Sequence, residues 1–531
     1  MSQVKPRLLL SSVFKPFAVD DEFGVKENLC ELMHNQVTRL QGVFSLRAQT
    51  RSFGLSFMAE NIKVPATVLD FPTQEEFVAE LKSGKYTHVG ISFIVPNIDK
   101  AKRMCELVRK YSPGTIIIAG GHGAKIKDIK KILDCDEVCV GEGTAWLRNY
   151  FGEKVDATFR HPAMAADYAR YILGIPAPHR KAILIPGVGC NNRCNFCATS
   201  HFFEAYRPFF STARELFDTM VEIADAMKTD EFFVLDENFL DNKERVNELM
   251  QIMEASGRWF RLDIFSSLRA IAQYAPETLM RLGIQFVWIG VESQKSLFEK
   301  NQGLDAKSII AGLRKHGMSV LGSAILFLDH HDKESIWNDI DYVISLNPDF
   351  IQFMELAPFP GTTLFNALDQ QGRIIHEVPM QEWHGQDLIC FRHANFKREE
   401  TKAILDEAFR RDYLTLGPSL LRIAETKVYA LSQQPANLDA VMKKRYDDLR
   451  RTTLEMRPLL GSMAAMAATP QIKERALRLQ DKFCELFGPA RFSDRAAQAV
   501  VHLLSRLESR RGKRATDRKS TRLNSSHEWI S

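Results

Sequence analysis

The first 375 residues alternate short apolar runs with longer amphipathic stretches, and this alternation decides the fold class. Apolar runs of about four to eight residues that are bounded by turn residues are typical of buried strands. The amphipathic stretches between them have the apolar spacing of helices. Because strands that alternate with helices form parallel sheets, we predict an α/β protein.

Residues 1–150 form the first alternating block. The predicted strands are Arg7–Ser12, Pro65–Asp70, His88–Phe93, Thr115–Ala119 and Glu137–Val140, and the predicted helices are Gln74–Ser83 and Asn97–Tyr111. The segments that follow the last three strands are polar or rich in glycine, and ligands of open α/β sheets bind at such strand ends. The G-x-G-x-x-G fingerprint is absent, so a dinucleotide site is not expected. We predict a doubly wound, Rossmann- or flavodoxin-like domain.

Residues 182–375 form a second alternating block, which follows a proline-containing linker at 151–181. Its predicted strands are Ala182–Pro186, Glu231–Asp236, Arg261–Ser267, Gln285–Val291, Ser319–Phe327 and Phe350–Leu356. Six β/α repeats predict an incomplete barrel whose polar site lies at the carboxyl ends of the strands. Residues 376–516 turn helical, with Phe396–Leu416 and Lys473–Phe487 as the clearest helices.

Composition excludes several classes of protein. The chain has 531 residues with 45% hydrophobic and 26% charged side chains, which is ordinary for a globular protein. A net charge of +4 gives no argument for nucleic acid, and the C-terminal arginine clusters are typical of solvated helix faces. The sequence has no apolar run of about 18–20 residues and no signal-peptide pattern, so we expect no membrane span and a cytoplasmic location. Residues 517–531 resemble a translated sequencing adapter and are set aside.

Three cysteines lie within eight residues, in the segment Cys190-Asn-Asn-Arg-Cys194-Asn-Phe-Cys197 that follows the first strand of the second block. So short a loop keeps the thiolates close together, and soft thiolate ligands select zinc or an iron–sulfur cluster. A closed zinc site needs a fourth ligand, for which His201 is not obviously placed. Three cysteines fill three corners of a [4Fe-4S] cube and leave one iron open, as a reactive centre requires.

The C-x3-C-x2-C spacing, with Phe196 before the last cysteine, resembles the signature of the radical S-adenosylmethionine (SAM) superfamily. In that family the open iron binds the amino and carboxylate groups of SAM, and electron transfer from the cluster cleaves SAM to a 5′-deoxyadenosyl radical. The resemblance implies that Cys190, Cys194 and Cys197 are the metal ligands and the catalytic centre. It also implies a reducing partner such as a flavodoxin or ferredoxin.

Further segments at the strand ends resemble motifs of the same family. The letters LDEN contain Asp236 and Glu237, where the family holds the amino group of SAM. Ser267 and Arg269 follow the third strand and are placed to bind a ribose hydroxyl and the SAM carboxylate. The letters GVES, containing Glu292, and the letters APFPGT resemble segments of the cobalamin-dependent branch. The alternative for each residue is that it caps the next helix.

The first block resembles the B12-binding domain that is fused upstream in one branch of the family. The matching segments are VGISFIVPN, AKRMCELVRKYSPGT, IIIAGGHGAK and DEVCVGEGT. The resemblance implies that these loops hold cobalamin over the barrel mouth, through Ser92, Pro96, Gly120, Gly121, His122, Gly141, Glu142 and Gly143. The D-x-H-x-x-G motif, which supplies a lower axial histidine in other B12 proteins, is absent. His122 therefore either approaches the corrin or packs on a neighbouring residue.

The resemblance implies a radical SAM enzyme that uses a [4Fe-4S] cluster, SAM and cobalamin to methylate an unactivated carbon of a small or lipid-like substrate. Within the family, the alternative is a radical rearrangement, cyclisation or carbon–carbon coupling without methyl transfer. Outside it, the alternatives are a sensor that binds the cofactors without turnover and a nucleic-acid modifying enzyme. We expect the C-terminal helices to close the barrel and to line the substrate pocket with Trp383, His384, Asp387, His393 and Tyr413.

Overall fold

The computed structural model describes residues 5–15, 33–156, 158–172, 175–176, 181–295 and 298–507, so the segment 517–531 lies outside the described residues. Within these ranges, the N-terminal third has the strands β1 (Leu8–Ser12), β2 (Arg47–Thr50), β3 (Ala66–Leu69), β4 (His88–Ser92), β5 (Ile116–Gly120), β6 (Glu137–Val138), β7 (Asp167–Ile172) and β8 (Ile175–Pro176). Its helices are α1 (Phe53–Glu60), α2 (Gln74–Gly84), α3 (Ile98–Tyr111), α4 (Ile129–Leu133) and α5 (Gly143–Tyr150).

Five of these strands form a parallel sheet in the order β3-β1-β4-β5-β6. In chain order this is the flavodoxin-like 2-1-3-4-5 arrangement, which places its ligand crevice at the carboxyl ends beside the reversal point between β1 and β4. Capping residues in the local sequence determine where the helices begin. Thr73 accepts a hydrogen bond from the Glu76 amide at 3.1 Å, and the Glu76 carboxylate accepts one from the Thr73 amide, which caps α2. The predicted doubly wound domain is confirmed.

The segment 151–181, which we interpreted as a linker, contains two strands of a second sheet, β7 and β8. Strand β7 pairs antiparallel with β2 and with β8. Arg47 lies opposite Tyr171 in this pairing, across more than one hundred residues of sequence, so no local pattern announces it. An isolated antiparallel bridge between Ala165 and Ala182 joins the segment before β7 to the first barrel strand.

The second block has the strands β9 (Lys181–Leu184), β10 (Gly187–Val188), β11 (Arg207–Pro208), β12 (Glu231–Val234), β13 (Arg261–Ser266), β14 (Ile284–Glu292), β15 (Ser319–Leu326) and β16 (Phe350–Glu355). Its helices are α6 (Ala198–Phe203), α7 (Ala213–Met227), α8 (Lys243–Ser256), α9 (Leu268–Ile271), α10 (Pro276–Leu282), α11 (Ala306–Lys315), α12 (Ser335–Ser345) and α13 (Thr363–Gln370).

Six of these strands form one parallel sheet in the sequential order β9-β12-β13-β14-β15-β16. Each predicted barrel strand is present with its ends shifted by at most two residues, so the partial barrel is confirmed. Side chains alternate between a helix-covered face and the lumen. Val287, Ile289 and Val291 of β14 are buried in the core, whereas Phe286 and Trp288 are half-buried and face the lumen.

The C-terminal region has the helices α14 (Arg398–Leu416), α15 (Ser419–Ser432), α16 (Ala440–Leu454), α17 (Arg457–Ala465) and α18 (Pro470–Phe487). A buried, bidentate ion pair joins α14 to α15, with Arg422 and Asp412 at 3.0 Å for both contacts. Arg445 of α16 donates to the carbonyl oxygen of Phe260 at 2.8 Å, which fixes these helices to the barrel. None of the described helices combines the length and apolar content that crossing a membrane requires.

Candidate functional site

The loop that carries Cys190, Cys194 and Cys197 lies beyond the first barrel strand and runs directly into α6. All three thiols are free and half-buried. The amide of Cys197 donates to the carbonyl oxygen of Cys194 at 3.0 Å, and the amide of Leu364 donates to that of Asn195 at 3.0 Å. The second contact fastens the loop to α13, which follows the APFPGT segment, so residues far apart in sequence shape one thiol-bearing loop.

The three thiols are not gathered as closely as the ligands of a single metal ion. Sulfurs around one tetrahedral zinc lie about 3.8 Å apart, because each Zn–S bond is about 2.3 Å. In the described residues, one group of three possible metal ligands has all its donor atoms within 4.8 Å of one another, and these cysteines do not belong to it. His201 is also unsuited as a fourth ligand, since its nitrogens contact the carbonyl oxygen of Cys197 at 2.9 Å and the hydroxyl of Thr363 at 2.8 Å.

The end of β12 presents two carboxylates with different surroundings. Asp236 is buried and accepts hydrogen bonds from Tyr206 at 2.8 Å and from Arg245 at 3.0 Å, so its charge is already paired within the protein. Glu237 has an accessible side chain. Desolvation by the surrounding protein, with the added charge of Asp236, raises the pKa of Glu237 to about 7, although part of the side chain stays open to solvent. Glu237 is therefore the carboxylate of this pair that can take up a ligand's ammonium group.

The end of β13 is organised around capping. Ser267 accepts a hydrogen bond from the Ala270 amide at 3.2 Å and so caps α9, as the alternative reading of this residue expects. Its own amide donates to the side-chain oxygen of Asn238 at 2.9 Å. Arg269 pairs with Glu299 at 2.9 Å, and its side chain is 45% exposed beside the cysteine loop. Both predicted residues lie at the strand end, but each already has a protein partner.

The end of β14 is strained. Glu292 has a φ of +65°, which is rare for a residue other than glycine, and the register with β15 shifts at this point. Its buried carboxylate pairs with Lys300. Burial opposes the charged form of Lys300, but Glu292 and the Cys194 thiol raise the pKa of Lys300 above its usual value. Such strain clusters at functional sites, and Lys300 is a site residue that the sequence analysis missed.

A cavity of about 650 Å³ opens beside the cysteine loop. Cys194, Phe196 and Arg269 line it together with Lys300 and His330. The Phe196 ring packs edge-on against Phe298 with the ring centres 5.0 Å apart, which closes one wall. Of the predicted site residues, Cys194, Phe196 and Arg269 thus share one space, whose lining does not include Cys190, Cys197, Asp236, Glu237, Ser267 or Glu292.

His330 belongs to a network behind this cavity. Its Nε2 lies 3.4 Å from the Ser293 hydroxyl and 3.8 Å from Asp339. His331 accepts from the Leu328 amide through Nδ1 at 3.0 Å, and its Nε2 lies 2.8 Å from Asp339. Although His330, His331 and Asp339 are close enough to hold an ion, both nitrogens of His331 are engaged. The network orients side chains and leaves no free His331 lone pair for a metal.

A larger cavity of about 1070 Å³ lies between the first domain and the barrel lumen. Its lining includes the predicted strand-end residues Ser92, Gly120, Gly121, His122, Gly141, Glu142 and Gly143. Pro96 is instead buried in the turn Val95–Asn97 and is not part of the lining. Glu142 caps α5 by accepting from the amides of Thr144 and Ala145 at 2.7 and 2.6 Å. Glycine at positions 121 and 143 lets Phe93 and Met58 pack closely against these loops.

His122 packs across the domain boundary. Its ring lies 4.8 Å from the Phe202 ring, on the helix that follows Cys197. Its Nε2 is buried and has no hydrogen-bond partner among the described residues. Burial lowers the pKa of His122 to about 4, so the ring is neutral. Of the two alternatives from the sequence, the structure shows packing on a neighbour, with one polar atom left over.

The C-terminal candidates lie away from both cavities, contrary to our prediction. Trp383 is buried and donates to the Val378 carbonyl oxygen at 3.1 Å. His393 contacts the Leu328 carbonyl oxygen at 3.1 Å, and Asp387 pairs with Lys402. The C-terminal residues that do reach the larger cavity are Leu420, Ile423, Lys427, Thr452, Glu455, Met456 and Leu459, from α15 to α17. The remaining two expected pocket residues, His384 and Tyr413, are also absent from the lining of both cavities.

Two family models match the chain. The B12 binding domain matches residues 42–150, and the radical SAM superfamily matches residues 184–343. The two matches follow one another in the order that we predicted for the domains. The second match contains the cysteine loop and the carboxyl ends of the first five barrel strands. Together the two matches cover the two sets of loops that meet at the larger cavity.

Curated relatives span about half of the chain. Bacteriochlorophyllide d C-12(1)-methyltransferase of Chlorobaculum tepidum is 24% identical over 309 residues, which is 54% of this chain and 67% of the relative. Bacteriochlorophyllide d C-8(2)-methyltransferase of the same organism is 24% identical over 331 residues, 55% of this chain and 71% of the relative.

Solved structures show the same fold. The radical S-adenosylmethionine methyltransferase TsrM from Kitasatospora setae, with cobalamin and a [4Fe-4S] cluster bound, matches with a TM-score of 0.53 at 13% identity. The match covers 85% of this chain and 99% of that chain. The domain models, the free cysteine triplet and the shared architecture agree. The chain therefore carries a B12-binding domain ahead of a radical SAM domain.

Proposed function

We propose that this chain is a cobalamin-dependent radical SAM methyltransferase that methylates an unactivated carbon of a small or lipid-like molecule. The observation that carries the proposal is the larger cavity, which is lined both by the strand-end loops of the B12-binding domain and by the barrel lumen. A methyl carrier on one side and a substrate carbon on the other can therefore share one chamber. The relatives from Chlorobaculum tepidum, both named as methyltransferases, support methyl transfer.

When bound, the [4Fe-4S] cluster and SAM supply radical hydrogen abstraction, and cobalamin supplies the methyl carrier. In this proposal Cys190, Cys194 and Cys197 hold the cluster, and Glu237 binds the SAM ammonium group. Asp236 acts through Tyr206 and Arg245, because its carboxylate is already paired. It is a positioning residue.

The remaining strand-end residues are assigned by the same proposal. Ser267 keeps its hydroxyl proton for a ribose oxygen while it caps α9, and Arg269 turns towards the SAM carboxylate from its exposed pairing with Glu299. Glu292 holds Lys300 beside Cys194, where a cation offsets the negative charge of thiolate ligands. The loops that contain Ser92, Gly120, Gly121, His122, Gly141, Glu142 and Gly143 hold cobalamin.

The lumen suits chemistry that water would quench. Phe233, Phe265 and Trp288 come from three neighbouring strands, with ring centres 5.5 and 5.2 Å apart along the series. All three line the larger cavity. An apolar wall of this kind excludes water from a reactive centre and favours a substrate with an apolar skeleton.

The alternative is a cobalamin-linked rearrangement, cyclisation or carbon–carbon coupling. The geometry of the chamber serves either reaction, and the names of the relatives favour methyl transfer. We further propose domain boundaries at 1–150, 151–181, 182–375 and 376–516, a cytoplasmic location, and a flavodoxin or ferredoxin as the electron donor. Product analysis separates the two reactions, since methyl transfer adds one carbon and two hydrogens to the substrate.

Cofactor content tests the proposal. Protein made with cobalamin uptake and purified without oxygen should hold about four irons and about one corrinoid per chain, and should form 5′-deoxyadenosine from SAM once reduced. Cys194→Ala should lose the iron and this activity, whereas Cys484→Ala, which changes an exposed cysteine, should retain both. Iron without corrinoid would overturn methyl transfer through cobalamin. Zinc in place of iron would overturn the radical assignment.

A further inference from the structure

The larger cavity has a second end, opposite the cysteine loop. There the first residues of the barrel strands face the lumen, and Lys181, Arg261, Asp263 and Gln285 form its floor together with Lys427 of α15. Charged side chains at the base of an aromatic chamber are costly unless they are paired or bind a ligand. A charged group at this floor that has no ion-pair partner in the protein therefore indicates the charge of the ligand.

Most of the floor charge is neutralised within the protein. Lys181 pairs with Asp263, and Gln285 donates to the same carboxylate at 3.1 Å. Arg261 contacts Glu231 at 2.8 Å, and it also pairs with a second acid on the preceding loop. These pairs leave no net charge from the strand residues, and the second acid, Asp230, adds one negative charge just outside the cavity lining.

Lys427 is the exception. Its ammonium donates to the Thr452 hydroxyl at 3.2 Å. The two carboxylates that act on it electrostatically, Asp263 and Asp349, form their ion pairs with Lys181 and Arg314 instead. Burial and the charges of Lys181 and Arg261 lower the pKa of Lys427 to about 8. The carboxylates of Asp263 and Asp349 oppose this shift. At neutral pH the side chain is a protonated cation with two unused donors.

The depth of the lumen gives a length scale. β13 runs from Arg261 at the floor to Ser266 at the upper end, which is about 17 Å at about 3.3 Å per residue. Between these levels the wall is formed by Phe265, Trp288 and Phe350. An occupant that touches both ends must be apolar over most of this length.

We propose that the substrate is an amphipathic anion, whose carboxylate or phosphate group binds Lys427 while its apolar body lies along the aromatic wall and its far end reaches the cofactor end of the lumen. The inference rests on the proposed function, because it assigns the substrate of the same chamber. Lys427 fixes how far the reacting carbon lies from the anionic group. It is a specificity-determining residue that takes no part in the chemistry.

Dodecanoate and dodecanol test this assignment, because they share an apolar chain and differ in charge. Calorimetry on the cofactor-loaded protein should show about tenfold tighter binding of dodecanoate, as expected for a charge-assisted contact. Lys427→Met should abolish that preference and leave dodecanol binding unchanged, whereas Lys427→Arg should keep it. Lys443→Met, which changes an exposed lysine of α16, is the matched control and should behave as the wild type.

A preference for dodecanoate that survives Lys427→Met would overturn the proposal, and so would equal binding, or no binding, of the two probes to the wild type. Dodecyl phosphate separates the two anion classes: tighter binding than dodecanoate assigns a phosphate, and weaker binding assigns a carboxylate. SAM cleavage is measured on the same samples. A protein that forms 5′-deoxyadenosine without anion preference refutes this inference alone, and Lys427-dependent binding without SAM cleavage refutes the proposed function alone.

Discussion

Replacing Gly121 with alanine puts a methyl group where the protein has no room for one. Gly121 has φ +82° and ψ 179°, a backbone region that is essentially restricted to glycine. The added Cβ would lie 2.5 Å from the carbonyl oxygen and 2.9 Å from the amide nitrogen of Phe93. Both contacts are with backbone, so no flexible side chain can move away, and the loop before His122 must shift.

The expected cost is about 3 kcal/mol, from about 1–3 kcal/mol for the backbone region with the steric overlap added. Because about 1.4 kcal/mol is a factor of ten, corrinoid affinity should fall by about a hundredfold. Iron content should be unchanged, since the cysteine loop belongs to the barrel. Gly152→Ala is the matched control: it has φ +70° but open space around its Cβ position, so it isolates the backbone cost.

The assay is corrinoid absorbance and iron content per chain after gel filtration, with a thermal melt of each variant. Gly121→Ala should lose corrinoid and retain iron, and Gly152→Ala should retain both. A Gly121→Ala protein with the corrinoid content and melting temperature of the wild type would refute the argument that this loop geometry shapes the cobalamin site.

Three further predictions concern charge. Lys427 has a lowered pKa in the folded protein, so the unfolded chain binds more protons between about pH 8 and 10.5. The free energy of unfolding should therefore rise with pH over that window by up to about 3 kcal/mol relative to Lys427→Met. Urea-unfolding experiments that give the same pH profile for both proteins would contradict this. Arg422→Met leaves the buried carboxylate of Asp412 without its partner and should lower the free energy of unfolding by about 3–5 kcal/mol. The double variant that also carries Asp412→Leu should recover most of this loss. A double variant whose loss is the sum of the two single losses would contradict the pairing argument. Lys300→Met should slow 5′-deoxyadenosine formation by about tenfold or more with iron retained, since Glu292 is left unpaired; an unchanged rate would show that the pair is structural.

The fold was predictable because its signals are local. Apolar runs bounded by turns mark each barrel strand, and the cysteine spacing marks the loop after the first strand. Strand β7 escaped because its partner β2 lies far away in sequence and its own segment contains prolines that favour a linker. The local sequence pattern predicts where helices and strands lie. Which distant strands pair antiparallel depends instead on tertiary contacts, which the pattern does not contain.

The site was predictable in position and less so in the state of its residues. Asp236 stands where the sequence placed it, but its charge is paired by Tyr206, thirty residues earlier, and by Arg245, nine residues later. Lys300 lies eight residues after Glu292 in a segment without a motif, so only the folded chain shows the pair. Charge pairing between elements leaves no periodic trace in a sequence.

The short helix α6 follows Cys197 directly and carries Phe202, against which the His122 ring packs. This helix therefore has one of the three clustered thiols at its start and a residue of the B12-binding domain against its side. Any movement of this helix when one cofactor binds changes the surface offered to the other. If the helix does move, the coupling of binding free energies is reciprocal, so each cofactor changes the affinity for the other by the same factor.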